Sequence, residues 1–174
     1  MTALPDGSSP AVLRDLRPVR DADGPALEAL IRTCWDAYAG CILDVDAEEP
    51  WLRAPATALA GQRAELWVLP APADDLGHPL AASVGLRPGP EPGTAELKTL
   101  YVWPGARRGG LGAALVDHVE AIARARGDRR MVLWSDTRFT EAHRLYERLG
   151  YQRGATRSLE DLSHSVEHFF HRAL

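Results

Sequence analysis

Two rhythms of apolar positions alternate along the chain. Leu27, Leu30, Ile31, Cys34, Trp35 and Tyr38 recur every three to four residues, the spacing of a helix with one buried face. Asp21-Ala22-Asp23-Gly24-Pro25 supplies its start, with a capping carboxylate and a proline in the first turn. A second helix is predicted over 50–61. Glu65 to Leu69 and Leu80 to Leu86 are short apolar runs around a Pro- and Asp-containing loop, so they predict an antiparallel strand pair. Another short strand is predicted upstream, over Val12 to Leu16.

Downstream, Ala95 to Trp103 reads as a strand stopped by Pro104-Gly105. Leu111, Ala114, Leu115, His118, Val119, Ile122 and Ala123 make the apolar face of the longest helix, which Gly127 ends. Met131 to Ser135 is a buried-type strand. Phe139, Ala142, Leu145, Tyr146 and Leu149 mark a further helix closed by Gly150, and two strands follow over 151–159 and 166–172. A strand–helix–strand crossover within otherwise antiparallel pairing predicts an α/β fold. Its sheet is mixed and mostly antiparallel, with about seven strands and about four helices.

The chain's 174 residues suffice for one domain, placed at 12–174 behind a Pro-, Gly- and Ser-rich tail over 1–11. Apolar residues make up 45% and charged residues 25%, an ordinary globular composition. A formal net charge of −4 gives no field for nucleic acid, and the arginines at 124, 126, 129 and 130 read as a solvated helix end. Two cysteines, Cys34 and Cys41, exclude a disulfide framework and a Cys-rich metal site; Cys34 falls on the apolar helical stripe. With no basic leader and no apolar run of membrane-spanning length, the expectation is a reduced, cytoplasmic setting with neither membrane nor metal.

The most informative chemistry lies at Leu100 to Ala113. A strand ends, small residues crowd the turn, and a helix begins inside them. Free N–H groups at a helix start, with the helix dipole, form an anion site, and glycines let a diphosphate approach the backbone. Arg107 and Arg108 add charge beside it. No Gly-Lys-Ser/Thr follows, which excludes a P-loop, and counting on from Gly110 the third glycine of a dinucleotide fingerprint is Leu115.

What remains, Arg-x-x-Gly-x-Gly at Arg107, Gly110 and Gly112, resembles the coenzyme A pyrophosphate loop of the GNAT N-acetyltransferases. Upstream, Ala95 to Pro104 is similar to that family's fourth strand with its Val-x-Pro ending. Downstream, Ala142-His143-Arg144-Leu145-Tyr146-Glu147-Arg148-Leu149-Gly150-Tyr151 resembles its Ala-x-x-x-Tyr-Glu-x-Leu-Gly-Phe segment. The resemblance implies acetyl-CoA as cosubstrate and a splayed parallel strand pair at the centre of the sheet. Leu100, Tyr101 and Val102 would lie along the pantetheine arm. Arg107, Arg108, Gly109, Gly110, Leu111, Gly112 and Ala113 would hold the pyrophosphate. An asparagine common in the family is Phe139 here, which removes one polar contact to the cofactor.

Direct transfer needs a neutral amine and a proton for the departing thiolate. Tyr146 lies on the helix where the family keeps its acid, and a phenol can protonate a thiolate as charge develops. A core aromatic is the alternative. Glu96 and Asp136 are the candidate bases, in a pattern similar to tabtoxin-resistance-type acetyltransferases. Equally, Glu96 is placed to pair with Lys98 and Asp136 to cap the next helix. His143 reads as a surface histidine.

Asp44, Asp46, Glu48 and Glu49, with Trp35, Tyr38 and Trp51, would suit a cationic amine or form a solvated loop. A small-molecule amine is the expected acceptor. The rivals are a peptide or protein N-acetyltransferase, for which the 157–166 connection either forms or blocks a groove, and a non-catalytic acyl-CoA-binding regulator. Imperfect alternation over Val166 to Phe170 suggests an edge at which two copies of the chain would pair as a homodimer.

Overall fold

The computed structural model describes residues 11–72 and 77–174, so the expected tail lies, apart from Ala11, outside the described residues. The chain runs β1 (Arg17–Pro18), α1 (Gly24–Trp35), α2 (Pro55–Ala60), β2 (Glu65–Pro70), β3 (Leu80–Pro88) and β4 (Thr94–Val102). It continues through α3 (Leu111–Ala125), β5 (Arg130–Asp136), α4 (Thr140–Arg148), β6 (Gln152–Ser158) and β7 (Val166–Ala173). The strands form one sheet in the order β1-β2-β3-β4-β5-β7-β6, antiparallel throughout except for β4 beside β5. Alternation along β2 explains the layers. Leu66 and Val68 belong to a core with Leu27 and Leu30 of α1, whereas Trp67 and Leu69 pack into the core that holds Leu115, Val116 and Val119 of α3. Among the described residues, no helix is long and apolar enough to cross a membrane.

Two expected elements differ. Residues 12–16 are not a strand: Ala11–Leu13 make a 3-10 turn, Leu16 N–H bonds back to the Leu13 carbonyl, and pairing begins only at Arg17 opposite Val68. Burial of Leu13 beneath the α3 core drives that turn. The helix expected over 50–61 is split into a 3-10 turn at Pro50–Arg53 and the short α2. Pro55 forces the split, because the residue before a proline is pushed out of helical geometry, and Ala54 sits at φ −149°, ψ 72°.

Two departures from ideal pairing shape the centre of the sheet. The parallel pair β4–β5 is hydrogen-bonded only from Thr94–Arg130 to Glu96–Val132, and beyond it the strands diverge. Between Ser83–Tyr101 and Gly85–Lys98, β4 carries one residue more than β3, a bulge centred on Thr99 at φ +52°. Ser83 Oγ donates to the Thr99 carbonyl at 2.8 Å and fixes this strained, β-branched position.

Candidate active site

The divergence of β4 from β5 opens a cavity of about 450 Å³. Thr99, Leu100 and Tyr101 border it from β4, Ser135 and Asp136 from β5, and Tyr146 from α4. Its outer walls are the α1–α2 segment and the β6–β7 connection, which touch each other. Ile42 N–H donates to Ser163 Oγ at 2.8 Å, Ser163 Oγ donates to the Ile42 carbonyl at 3.2 Å, and Leu162 N–H donates to Glu48 Oε1 at 2.8 Å.

At the end of β4 the glycine turn leads into α3. Gly110 stands at φ +79° as the residue before the helix, a conformation glycine adopts without strain. The first intrahelical bond is Ala114 N–H to the Gly110 carbonyl, and the first turn has no acidic side chain. The N–H groups of Leu111, Gly112 and Ala113 are therefore available to an anion at the positive end of a 15-residue helix. Space above Gly109 and Gly110 is open, with no atom within 4 Å of a Cβ built on either. This turn lies outside the cavity lining and forms a separate, exposed shelf beside it.

Arg107 does not reach toward that shelf. Its Nε donates to the Val102 carbonyl at 3.1 Å, one terminal nitrogen bonds Glu141 at 3.1 Å, and the other approaches Cys34 Sγ at 3.6 Å. Arg107 thus joins the end of β4 to α4 and α1. Burial pushes the Cys34 thiol up, against the opposing pull of Arg107. Both cysteines are free.

Tyr146 is 4% exposed, packs its ring on Tyr151 and Phe170, and borders the cavity. Burial holds its phenol well above the usual value, so it stays protonated. Tyr101 projects to the other core, where its hydroxyl accepts a hydrogen bond from Trp35 Nε1 at 3.0 Å. Burial raises this phenol too.

Of the two candidate bases, Asp136 borders the cavity and Glu96 does not. Glu96 is buried with Arg87 at 2.7 Å and Lys98 at 3.9 Å, so the Lys98 pairing expected from sequence is the looser of two. Asp136 is held by Arg138 through backbone N–H, Nε and a terminal nitrogen at 2.8, 2.8 and 2.6 Å. Burial pushes its carboxyl up, but those bonds outweigh it and hold it below the usual carboxylate range.

The expected surface histidine is a correction. His143 is 3% exposed, packed edge-on to His168 at 5.4 Å and against Phe170 at 5.2 Å. It lies three residues before Tyr146, so the two share the buried face of α4. Sequence reasoning also missed the Thr99 bulge. Neither Gly nor Asn stands there to signal a left-handed residue, so the pattern had nothing to show.

The model of the acetyltransferase (GNAT) family matches residues 27–151. A curated mycothiol acetyltransferase of Beutenbergia cavernae is 40% identical over 78 residues, 45% of this chain. That match spans only 26% of the relative's own length. Among solved structures, a GNAT-family acetyltransferase of Staphylococcus aureus Mu50 superposes with a TM-score of 0.72 at 16% identity, covering 91% of this chain and 98% of that one. A ribosomal-protein-alanine N-acetyltransferase of Brucella melitensis gives a TM-score of 0.64 at 19% identity, covering 91% and 99%. These structural likenesses establish the fold. The family match spans well over half the chain and includes β4, the glycine turn and α4, and on that ground the chain belongs to the GNAT acetyltransferase family.

Proposed function

We propose that the protein transfers an acetyl group from acetyl-CoA to the primary amine of a small molecule, by direct attack in a ternary complex. The observation that carries this reading is the position of Tyr146. Its protonated phenol borders a cavity opened by splayed strands, beside a helix start able to hold a diphosphate. In this reading the Leu111, Gly112 and Ala113 N–H groups bind the pyrophosphate, with Arg108 adding charge. Pantetheine lies along Leu100 to Val102, where the bulge re-aims the backbone, and Tyr146 protonates the thiolate as the C–S bond breaks. The Val102 carbonyl already accepts from Arg107, so the arm is left with the other backbone groups of the segment.

A small acceptor rather than an extended peptide is supported by the contacts of Ile42 with Ser163 and of Glu48 with Leu162, which tie the α1–α2 segment to the β6–β7 connection along the outer walls of the cavity. The relative named for mycothiol, rather than for a protein, is in keeping with this. The edge expected over Val166 to Phe170 is a correction, because β7 is paired with β5 on one side and β6 on the other. Edge strand β6, exposed along its whole length, supports pairing of two copies instead, which sedimentation at tens of micromolar would test (roughly the range of a weak interface).

The test is a panel of free amines and short peptides with acetyl-CoA, read by thiol release and by loss of the amine. Turnover of small amines is the expected result. Turnover of peptides alone would favour the protein-directed reading, and acetyl-CoA binding with no acceptor consumed would favour the non-catalytic one.

A further inference from the structure

Five carboxylates border the cavity: Glu49, Glu65, Asp136, Asp161 and Glu167. Three are committed to arginines, Glu65 to Arg126, Asp136 to Arg138 and Glu167 to Arg157. Among the described residues, Glu49 and Asp161 have no cationic partner within ion-pair distance. Asp161 is occupied otherwise, since its Oδ1 accepts Ser165 N–H at 2.7 Å and shapes the β6–β7 connection. It also lies in the field of Arg138.

Glu49 differs. One oxygen, Oε2, accepts the indole N–H of Trp51, which fixes the rotamer, and Oε1 has no protein donor among the described residues. The side chain is half-buried at the point where the α1–α2 segment meets β4. Tyr101, on the bulged part of β4, senses the charge of Glu49 and also interacts with Tyr146. The phenol of Tyr101 therefore has the free carboxylate and the protonated tyrosine within electrostatic reach, and the cavity joins all three.

We infer that Glu49 is the general base that deprotonates the acceptor ammonium. The inference rests on the acetyltransferase reading above. Glu49 Oε1 takes one proton from R–NH3⁺, leaving the neutral amine. The nitrogen lone pair forms the N–C bond at the acetyl carbonyl carbon, and the C–S bond breaks with its electron pair going to sulfur. Tyr146 gives its proton to that thiolate. The second amine proton, lost as the amide forms, restores the Tyr146 phenol, and Glu49 returns its proton to solvent. The balance is R–NH3⁺ plus acetyl-CoA giving the acetamide, CoA-SH and one H⁺. A carboxylate bound to an arginine has its lone pairs engaged and is less suited to the first step.

The experiment compares wild type, Glu49→Gln and Glu49→Asp with one aliphatic amine from the panel and with a hydrazine or arylamine already neutral at pH 7.5. Glutamine keeps an acceptor for Trp51 N–H, so folding and acetyl-CoA KM should be unchanged. With the aliphatic amine, kcat/KM of Glu49→Gln should fall roughly 10²-fold or more at pH 7.5. It should then climb about tenfold per pH unit toward the amine's own pKa, near 10 for an alkylamine. The neutral acceptor should lose little, and Glu49→Asp should fall between. A pH profile like that of wild type, an equal loss with both acceptors, or a change confined to the amine KM would overturn the assignment. Were Glu49→Gln not to fold, an undiminished kcat in Glu49→Asp would overturn it. No amine consumed by wild type would remove the transferase reading itself, and this base with it.

Discussion

A Cβ placed on Gly112 would stand 3.0 Å from Cδ2 of Leu145, so the last glycine of the turn is where α3 meets α4. The glycines therefore divide the work. Gly112 serves helix packing as well as any ligand, Gly110 serves a left-handed backbone, and Gly109, with neither a neighbour nor a positive φ, is free to serve the ligand alone.

From this division, Gly109→Val should raise the acetyl-CoA KM about tenfold or more, the loss of roughly one good hydrogen bond to the diphosphate. Its Tm should move by less than about 2 °C, because the position is exposed and open. Gly112→Val should instead lower stability by about 1–3 kcal/mol through overpacking against Leu145, with KM rising as a mixed effect. Steady-state kinetics and thermal melts of both variants separate the two. An unchanged KM in folded Gly109→Val would remove the pyrophosphate assignment.

Glu120 of α3 is 1% exposed and satisfied by Tyr151 Oη at 2.8 Å, Arg124 at 2.9 Å and Arg172 at 3.1 Å. Burial and the neighbouring carboxylate push the Tyr151 phenol up. Glu120→Gln keeps the volume but weakens the bonds to both arginines. Because those arginines are partly exposed and can turn to water, the loss should be about 2–3 kcal/mol rather than the full cost of an orphaned buried charge. That is about 5–10 °C in Tm for a chain of this size. The residue does not border the cavity, so kcat should be preserved, and an altered kcat with normal Tm would contradict this placement.

His143 and His118 both sit below the usual histidine value, each chiefly because burial disfavours the charged ring, with Arg153 and His168 adding to the effect at His143 and Glu147 opposing it. The unfolded chain takes up these protons near pH 6.5 while the fold resists. Stability contributed by the neutral rings is therefore complete above about pH 6.5 and is lost as pH falls through the lowered folded values. Tm should decline from pH 7 to pH 5, and a His143→Gln, His118→Gln double variant should flatten that decline. A slope identical to wild type would show that other groups carry it.

Much of this architecture was readable from apolar rhythm. Leu27, Leu30, Ile31 and Cys34 of α1 and Leu111, Ala114, Leu115, Val119 and Ala123 of α3 are buried as their spacing selects, and β2, β3 and β4 each stop at or within two residues of a proline, Pro70, Pro88 and Pro104. What escaped was set by single tertiary contacts. Leu13 turns the chain before β1 because its side chain is needed in the α3 core, and Thr99 is held left-handed by Ser83. Arg107 is drawn toward Glu141, a partner 34 residues away whose proximity no local pattern encodes. At the site, residue types in a motif located the glycine shelf and Tyr146. Which carboxylate is free depends on where arginines from other elements land, and Glu49 stood out only once those pairs were known.

Tyr146→Phe tests the acid directly. The hydroxyl makes no hydrogen bond to another described residue, and burial alone raises its phenol, so removing the oxygen should leave Tm and the acetyl-CoA KM near wild type. If the hydroxyl protonates the leaving thiolate, kcat should fall by roughly 10²–10⁴-fold when chemistry limits the rate. The direction of the shift also constrains the pH profile. A catalytic acid must be protonated, and burial moves loss of this proton to higher pH than an ordinary phenol's value near 10. Wild type should therefore show no alkaline decline assignable to Tyr146 below about pH 10. A donor series sharpens the result: with a thioester whose thiol leaves more easily, the Phe variant should recover rate relative to wild type, because less protonation is needed at sulfur. A folded Phe variant with near-normal kcat under chemistry-limited conditions would leave the ring as a packing residue and solvent as the proton source.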